Sequence, residues 1–374
     1  MAKIIDLTPK HFPIIPAKEK IELPTSFDDI ELSGIKTGNL IREVNDASKL
    51  KTAAKMADCI VAKSGGDYTS IQAALDNGKK NIFVKKGTYE ISSAITIMNS
   101  GVTIKGESHT NTIIKVADGA NCAAIVIGDG ATAISDVMIE DIQIDGNKAN
   151  QSNEKDLDTT HVHGIHLYGG SDYHLTEITI INCYIHDCHC HGIFFYYSGY
   201  CSITGTRSLS NGGNGISVGH SNSNTVSGNW SSSNDMRGIE IGVSSFNIVN
   251  GNHCSSNTDS GILLEGSDYD IVINNYAIDN GYGIYLSNTN YVIVTNNQVL
   301  WNSNYGIYLA SSDRNSIIGN YIRNNTTRGI GIIDSGCDAN LVVKNYCTGN
   351  TGGSIEDLGT GTILAASTTN DNVV

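Results

Sequence analysis

The sequence predicts an all-β chain: a right-handed parallel β-helix with three short strands per coil and an N-terminal capping helix. Two observations predict it. Gly-Ile pairs begin at Gly164, Gly192, Gly215, Gly238, Gly261, Gly283, Gly306 and Gly329, at intervals of 28, 23, 23, 23, 22, 23 and 23 residues. A fixed period in the low twenties, carried by short apolar runs without helical periodicity, marks a solenoid built from strands. The second is asparagine. Counted from each Gly, Asn recurs at +14 (Asn229, Asn252, Asn275, Asn297, Asn320) and at +19 (Asn211, Asn234, Asn257, Asn280, Asn302, Asn325). Stacked Asn side chains hydrogen-bond along a solenoid and tolerate the left-handed turns its corners need. Handedness follows the crossover rule for parallel strands.

All four prolines (Pro9, Pro13, Pro16, Pro24) lie at the start of the chain, which reads as extended and coreless. Asn39 to Met56 looks helical, and residues 1–57 are read as an attachment or assembly segment preceding a β-helix domain over 58–374. DYTSIQAALD (Asp67 to Asp76) reads as a short helix capped by Thr69 or Ser70 and ended near Asn77-Gly78. Such a helix would cover the open end of the solenoid. Strands are expected at Asn81 to Val84, Tyr89 to Ile91, Val102 to Lys105, Thr112 to Val116 and Val137 to Asp145. In the repeats, +1 is always Ile and +3 always apolar, so these side chains point inward and those at −1, +2 and +4 point outward.

The formal charge of −14 argues against a nucleic-acid partner. No apolar run suits a membrane span or a signal peptide, so the product is expected to be soluble and cytoplasmic on synthesis, with an extracellular or virion-associated destination left open. Nine Cys at irregular spacing do not describe a disulfide framework, and Cys188-x-Cys190 lacks the second pair a zinc site needs. No cofactor is required. Calcium (Ca2+) is allowed, since Asp172, Asp268 and Asp270 fall near turns, although no calcium-loop motif is present.

Coils stack at about 4.8 Å, so outward positions form columns. The −1 column reads His163, His191, Asn214, Arg237, Ser260, Tyr282, Tyr305, Arg328. The +2 column reads His166, Phe194, Ser217, Glu240, Leu263, Tyr285, Tyr308, Gly331, and the +4 column begins Tyr168, Tyr196, Gly219, Gly242, Glu265. The 28-residue coil is expected to place its five extra residues at Tyr184 to Cys190 as a wall beside this strip. Tyr, Asn, His and Arg on one strip suit a carbohydrate, with Tyr282, Tyr285, Tyr305 and Tyr308 extending the platform. From Asp156 onward the only cations are Arg207, Arg237, Arg314, Arg323, Arg328 and Lys344, which singles out Arg237. His191 and Tyr196 are read as an acid/base pair in undetermined order. Arg237, Asn214 and Lys155 would hold a carboxylate, with His163, His166 and Tyr168 shaping the site. This set suits proton abstraction α to a carboxylate, leading to an epimer or, by elimination, to chain cleavage. Glu240 and Glu265, about 8 Å apart by strand and coil spacing, instead suit an inverting glycoside hydrolase. A non-catalytic glycan-binding or virion structural protein is the rival from another class.

From DYTSIQAALD through GVTIKGES, TIIKVADG and IEDIQIDGNKANQS, the chain resembles the catalytic module of mannuronan C5-epimerases and, more broadly, pectate-lyase-like β-helix enzymes. The resemblance runs from about Asp67 to Asn250 and implies a uronan such as alginate as substrate. The family string Tyr-Gly-Phe-Asp-Pro-His-Glu falls on His191-Gly192-Ile193-Phe194-Phe195-Tyr196-Tyr197, with His and Tyr exchanged and Phe194 replacing Asp. By the same likeness Lys155 matches an essential Lys, Arg237 lies one place from a family Arg, and Asn214 replaces an Asp. The proline-rich start resembles attachment segments of viral tail depolymerases, which makes a homotrimer an alternative to a monomer.

Overall fold

In a computed structural model of the chain, residues 31–32, 35–36, 57–152, 162–172 and 175–365 are described. The chain divides into two units, Met1–Lys55 and Met56–Val374. In the first, Glu31–Leu32 and Ile35–Lys36 form a two-stranded antiparallel pair. The helix expected over Asn39 to Met56 lies outside the described residues.

The second unit is a right-handed parallel β-helix of about 13 turns. Its strands form three parallel sheets, one of 14 strands and two of 11. Sheet I collects the strands that follow each Gly, from Ile95–Ile97 to Ile355–Asp357. Sheet II runs from Cys59–Val61 to Ile363–Ala365, and sheet III from Gly87–Ile91 to Tyr346–Thr348. In sheet I the Ile at +1 stack in register, Ile165 on Ile193, Ile216, Ile239, Ile262, Ile284, Ile307 and Ile330. All are fully buried, each worth about 1.5–3 kcal/mol of apolar transfer. The helix Ile71–Asp76 buries Ile71, Ala74 and Leu75 against the first coil, with Ser70 as its cap, as the sequence predicts. The expected strand Val137 to Asp145 is two strands, Ser135–Glu140 and Gln143–Asp145, because Asp141 turns the corner between sheets with φ of 58°.

The five extra residues of the 28-residue coil are not at Tyr184 to Cys190. Tyr184–His186 is a regular strand of sheet III, in register with Arg207–Leu209. Tyr168 pairs with Tyr196 but Leu175 pairs with Ser198, so the insertion falls between Tyr168 and Leu175, at the corner between sheets I and II.

The Asn columns are buried ladders. Asn275 illustrates the rung: its Oδ1 accepts the Asn252 backbone N–H (2.8 Å), while its Nδ2 donates to Val249 O (2.8 Å) and Asn297 Oδ1 (3.0 Å). The left-handed conformation at each corner belongs to the preceding residue, such as Gly251, Asn274 and Asn296, and not to the ladder Asn itself. A third ladder, unforeseen, runs at +9 through Asn224, Asn247, Asp270 and Asn315 and continues to Asn340, at +11 in a longer last coil.

The glycine that opens each coil is required by close approach. A Cβ at Gly306 would sit 2.5 Å from Ile322 Cγ2, 2.6 Å from Gly329 O and 2.9 Å from Asn325 Nδ2. The next coil's carbonyl cannot yield without breaking the stack. Gly306→Ala is therefore expected to lose about 1–3 kcal/mol, read as a lower midpoint in urea unfolding.

Candidate functional site

The outward face of sheet I carries a cavity of about 230 Å³. Consecutive coils contribute His191, Phe194 and Tyr196, then Asn214 and Ser217, then Arg237 and Glu240, then Glu265. The chain folds this way because the alternation from each Gly sends −1, +2 and +4 to the same outer surface.

A backbone ladder fixes the −1 column. His163 Nδ1 accepts the His191 N–H (3.3 Å), His191 Nδ1 accepts the Asn214 N–H (2.8 Å), and Asn214 Oδ1 accepts the Arg237 N–H (3.1 Å). With a backbone donor on Nδ1, neutral His191 carries its proton on Nε2, so it offers an N–H and not a basic lone pair at that end. Burial, then the Arg237 charge, lowers its pKa to about 3, so the ring is neutral at ordinary pH. This arrangement suits His191 to donating a hydrogen bond and not to taking a proton, one of the two orders that the sequence leaves open for the His191/Tyr196 pair.

Arg237 donates from Nη1 to Glu240 Oε1 and from Nε to Asp259 Oδ2, both at 2.9 Å. Glu240 Oε2 accepts from Ser217 Oγ (3.2 Å) and Asn214 Nδ2. Burial pushes the Glu240 carboxyl up, and Arg237 pulls against that shift. Asn214 thus uses its Oδ1 and one Nδ2 hydrogen to position Arg237 and Glu240. Around one guanidinium stand three carboxylates, Glu240, Asp259 and Glu265.

Tyr196 stands in the cavity wall, its ring edge-on to His220 (centroids 5.4 Å, 89°) and 5.6 Å from Phe194. His163 and His166 do not shape an open groove. They lie on the outer side of sheet I but are only 2% and 0% exposed. They pack into an aromatic stack: His163 lies parallel to His191 at 5.2 Å, and His166 stacks on Phe194 at 5.2 Å. Tyr168 is half-buried beside His166 and does not line the cavity. Lys155 lies outside the described residues. Tyr282, Tyr285, Tyr305 and Tyr308 form one half-buried cluster on the next two coils, with Tyr282 and Tyr305 parallel at 6.5 Å. Gly331 leaves room for the Tyr305 ring, and Tyr305 Oη donates to Glu356 (2.7 Å). Burial, then Glu356, pushes the Tyr305 phenol up to about 12.

Three site residues escaped the sequence reading. His220 lies at +5 of its coil and lines the cavity, Asp259 lies at −2, and Ser217 stood in the +2 column unassigned. Columns at −2 and +5 would have exposed the first two. The aspartates considered for calcium are otherwise placed: Asp268 Oδ1 accepts from Asn290 N–H and Nδ2, Asp270 belongs to the +9 ladder, and Asp172 lies in an exposed turn.

Fold and site together define a right-handed parallel β-helix protein with an acidic, aromatic-walled cavity on one sheet. The sequence matches the family described as periplasmic copper-binding protein (NosD) over residues 76–281, 140–328 and 247–353, about three quarters of the chain in all. The chain belongs to that family. No curated protein matches it in sequence. Among solved structures it resembles the A-module of the Azotobacter vinelandii mannuronan C-5 epimerase AlgE6 (18% identity, TM-score 0.66, 80% of this chain and 94% of that one). It also resembles the periplasmic alginate epimerase AlgG (14%, 0.58, 76% and 84%) and the Dettilon tailspike protein (17%, 0.55, 83% and 68%). At these identities the likeness is one of fold.

Proposed function

We propose that this chain is a carbohydrate-active enzyme that holds an acidic polysaccharide, a uronan such as alginate, along sheet I and transfers a proton at uronate C5. The observation that carries this reading is the convergence of Tyr196, His191, Arg237 and Glu240 on one cavity, with the tyrosine cluster two coils further along the same sheet. Two proteins of the same fold are epimerases of mannuronan and of alginate. Tyr196 is the proton carrier. His191 Nε2–H donates to a substrate oxygen, and Arg237, which has spent two of its five N–H groups, turns the others to the carboxylate, with Lys155 as a second cation. With Tyr196 taking the C5 proton as its phenolate, a proton from solvent water on the opposite face gives an epimer, and passing the Tyr196 proton to the departing 4-O oxygen gives a lyase product.

The surplus of carboxylates favours a second reading, inverting hydrolysis with half-buried Glu240 as acid and exposed Glu265 as base. One assay separates the readings. The protein is incubated with alginate, polygalacturonate and neutral glycans. Altered uronate stereochemistry by proton NMR without scission supports epimerase, and ultraviolet-absorbing unsaturated ends support lyase. Reducing ends without unsaturation support hydrolase. Binding with no product from any polymer overturns the enzyme reading in favour of an adhesin.

The family description also names copper, which favours imidazole, thiolate or thioether donors. Among the described residues the one cluster within ligand reach is Asp145, His186 and Asp187, with a single nitrogen donor. Both His186 nitrogens already meet Asp187 and Gln143. The Cys183 and Cys201 thiols are buried, and that burial pushes them up to about 12 and about 11, so they are protonated. These donors do not fit copper, and no step is assigned to it.

A further inference from the structure

The +9 ladder contains one member that is not an amide. In each Asn member Oδ1 accepts the backbone N–H of the preceding coil, and in Asn224, Asn315 and Asn340 Nδ2 donates to a carbonyl further back, whereas Asn247 turns its Nδ2 to Asp270. Asn224 Nδ2 meets Ser198 O (3.4 Å) and Asn315 Nδ2 meets Thr289 O (3.0 Å), each 26 residues upstream. Asp270 keeps the first half of this pattern, its Oδ1 accepting the Asn247 N–H (2.6 Å) and Nδ2 (3.2 Å). Its Oδ2, the counterpart of the amide Nδ2, is buried without a hydrogen-bond partner. The carbonyl 26 residues upstream belongs to Ser244. An ionised carboxylate there would set a lone pair toward a carbonyl in a dry interior, with no donor to relieve it.

We infer that Asp270 is a neutral carboxylic acid in the folded protein, donating from Oδ2 to Ser244 O as an asparagine would, and that its ionisation makes this rung a pH-sensitive weak point of the stack. The groups around it agree. Asn247 faces it from the preceding coil and Val292 occupies the equivalent position in the next, so neither brings a cation. On its own turn stands the carboxylate of Asp268, held by Asn290. Burial pushes the Asp270 carboxyl up to about 7; the Asn247 hydrogen bonds oppose the shift and Asp268 adds to it. A carboxyl raised in the folded state binds more protons there than in the unfolded chain. Its stabilising contribution is full below about pH 4 and is lost as pH rises toward about 7. Asp270 lies in the coil that presents Glu265 to the cavity, so this loosening is local to the site.

The test compares thermal unfolding of the full chain and its Asp270→Asn variant from pH 4.5 to 9. The expected result is Tm values that nearly coincide at pH 4.5 and a variant higher by at least about 2–4 °C at pH 8, with the gap opening between about pH 4 and 7. Parallel curves at all pH values, or no gap at pH 8, would overturn the inference. Infrared spectra at pH 6 supply a readout independent of stability. A protonated-carboxyl C=O band present in the native chain and absent from Asp270→Asn supports the inference, and spectra that superimpose in that region refute it.

Discussion

Tyr196→Phe is expected to lower turnover on the responsive polymer by about 10²–10⁴-fold while leaving the unfolding curve in place. The change removes one hydroxyl and keeps the ring against Phe194 and His220. Glu240→Gln is the companion. It keeps the shape that Ser217 and Arg237 grip but removes the proton-carrying group and one of Arg237's two counter-charges. If C5 chemistry operates, Tyr196→Phe is the silent enzyme and Glu240→Gln retains part of its rate. If hydrolysis operates, the order reverses. Steady-state rates on the same polymer decide, and full activity in both variants rejects the cavity as the centre of reaction. His191→Ala is a poorer probe, because it strips the Asn214 N–H of its acceptor and unsettles the rung beneath Arg237. With its pKa near 3, His191 should leave no inflection in the rate between pH 5 and 8.

Asn275→Ala is expected to lower stability by about 3–5 kcal/mol, measured as the shift in urea midpoint at constant slope. One side chain here satisfies the Asn252 N–H, Val249 O and the amides on either side, all in a water-free interior. Removal leaves a buried donor and a buried acceptor unmatched, each worth about 1–3 kcal/mol, and opens a gap between coils. An exposed asparagine outside the ladders and outside the left-handed corners, such as Asn99, should tolerate the same change within about 0.5 kcal/mol.

The repeat, its register and its sheets were legible because a constant interval turns sequence position into spatial position. Ile193 stacks on Ile216 for the same reason that both follow a Gly. The cavity was legible to the same degree: His191, Tyr196, Arg237, Glu240 and Glu265 share columns in the sequence and share a wall in the structure. What stayed hidden depends on individual hydrogen bonds. Periodicity reports that His163 faces outward, not that aromatic neighbours seal it or that its Nδ1 serves the backbone of His191. It marks Arg237 as a rare cation but not that Asp259 already holds it, since Asp259 lies just off the columns. The place of the five-residue insertion was invisible as well, because spacing between glycines gives a coil's length and not the corner that absorbs a surplus.

That surplus has a consequence for how such proteins diversify. Between Tyr168 and Leu175 the chain takes up five residues more than the next coil does, yet Ile165 on one side and Thr179 on the other meet their neighbours in normal register. Variation at that bend is insulated from the scaffold, so lineages or designers can remodel the rim beside Tyr168 and Tyr196 to admit a different glycan while the stacked spine folds as before.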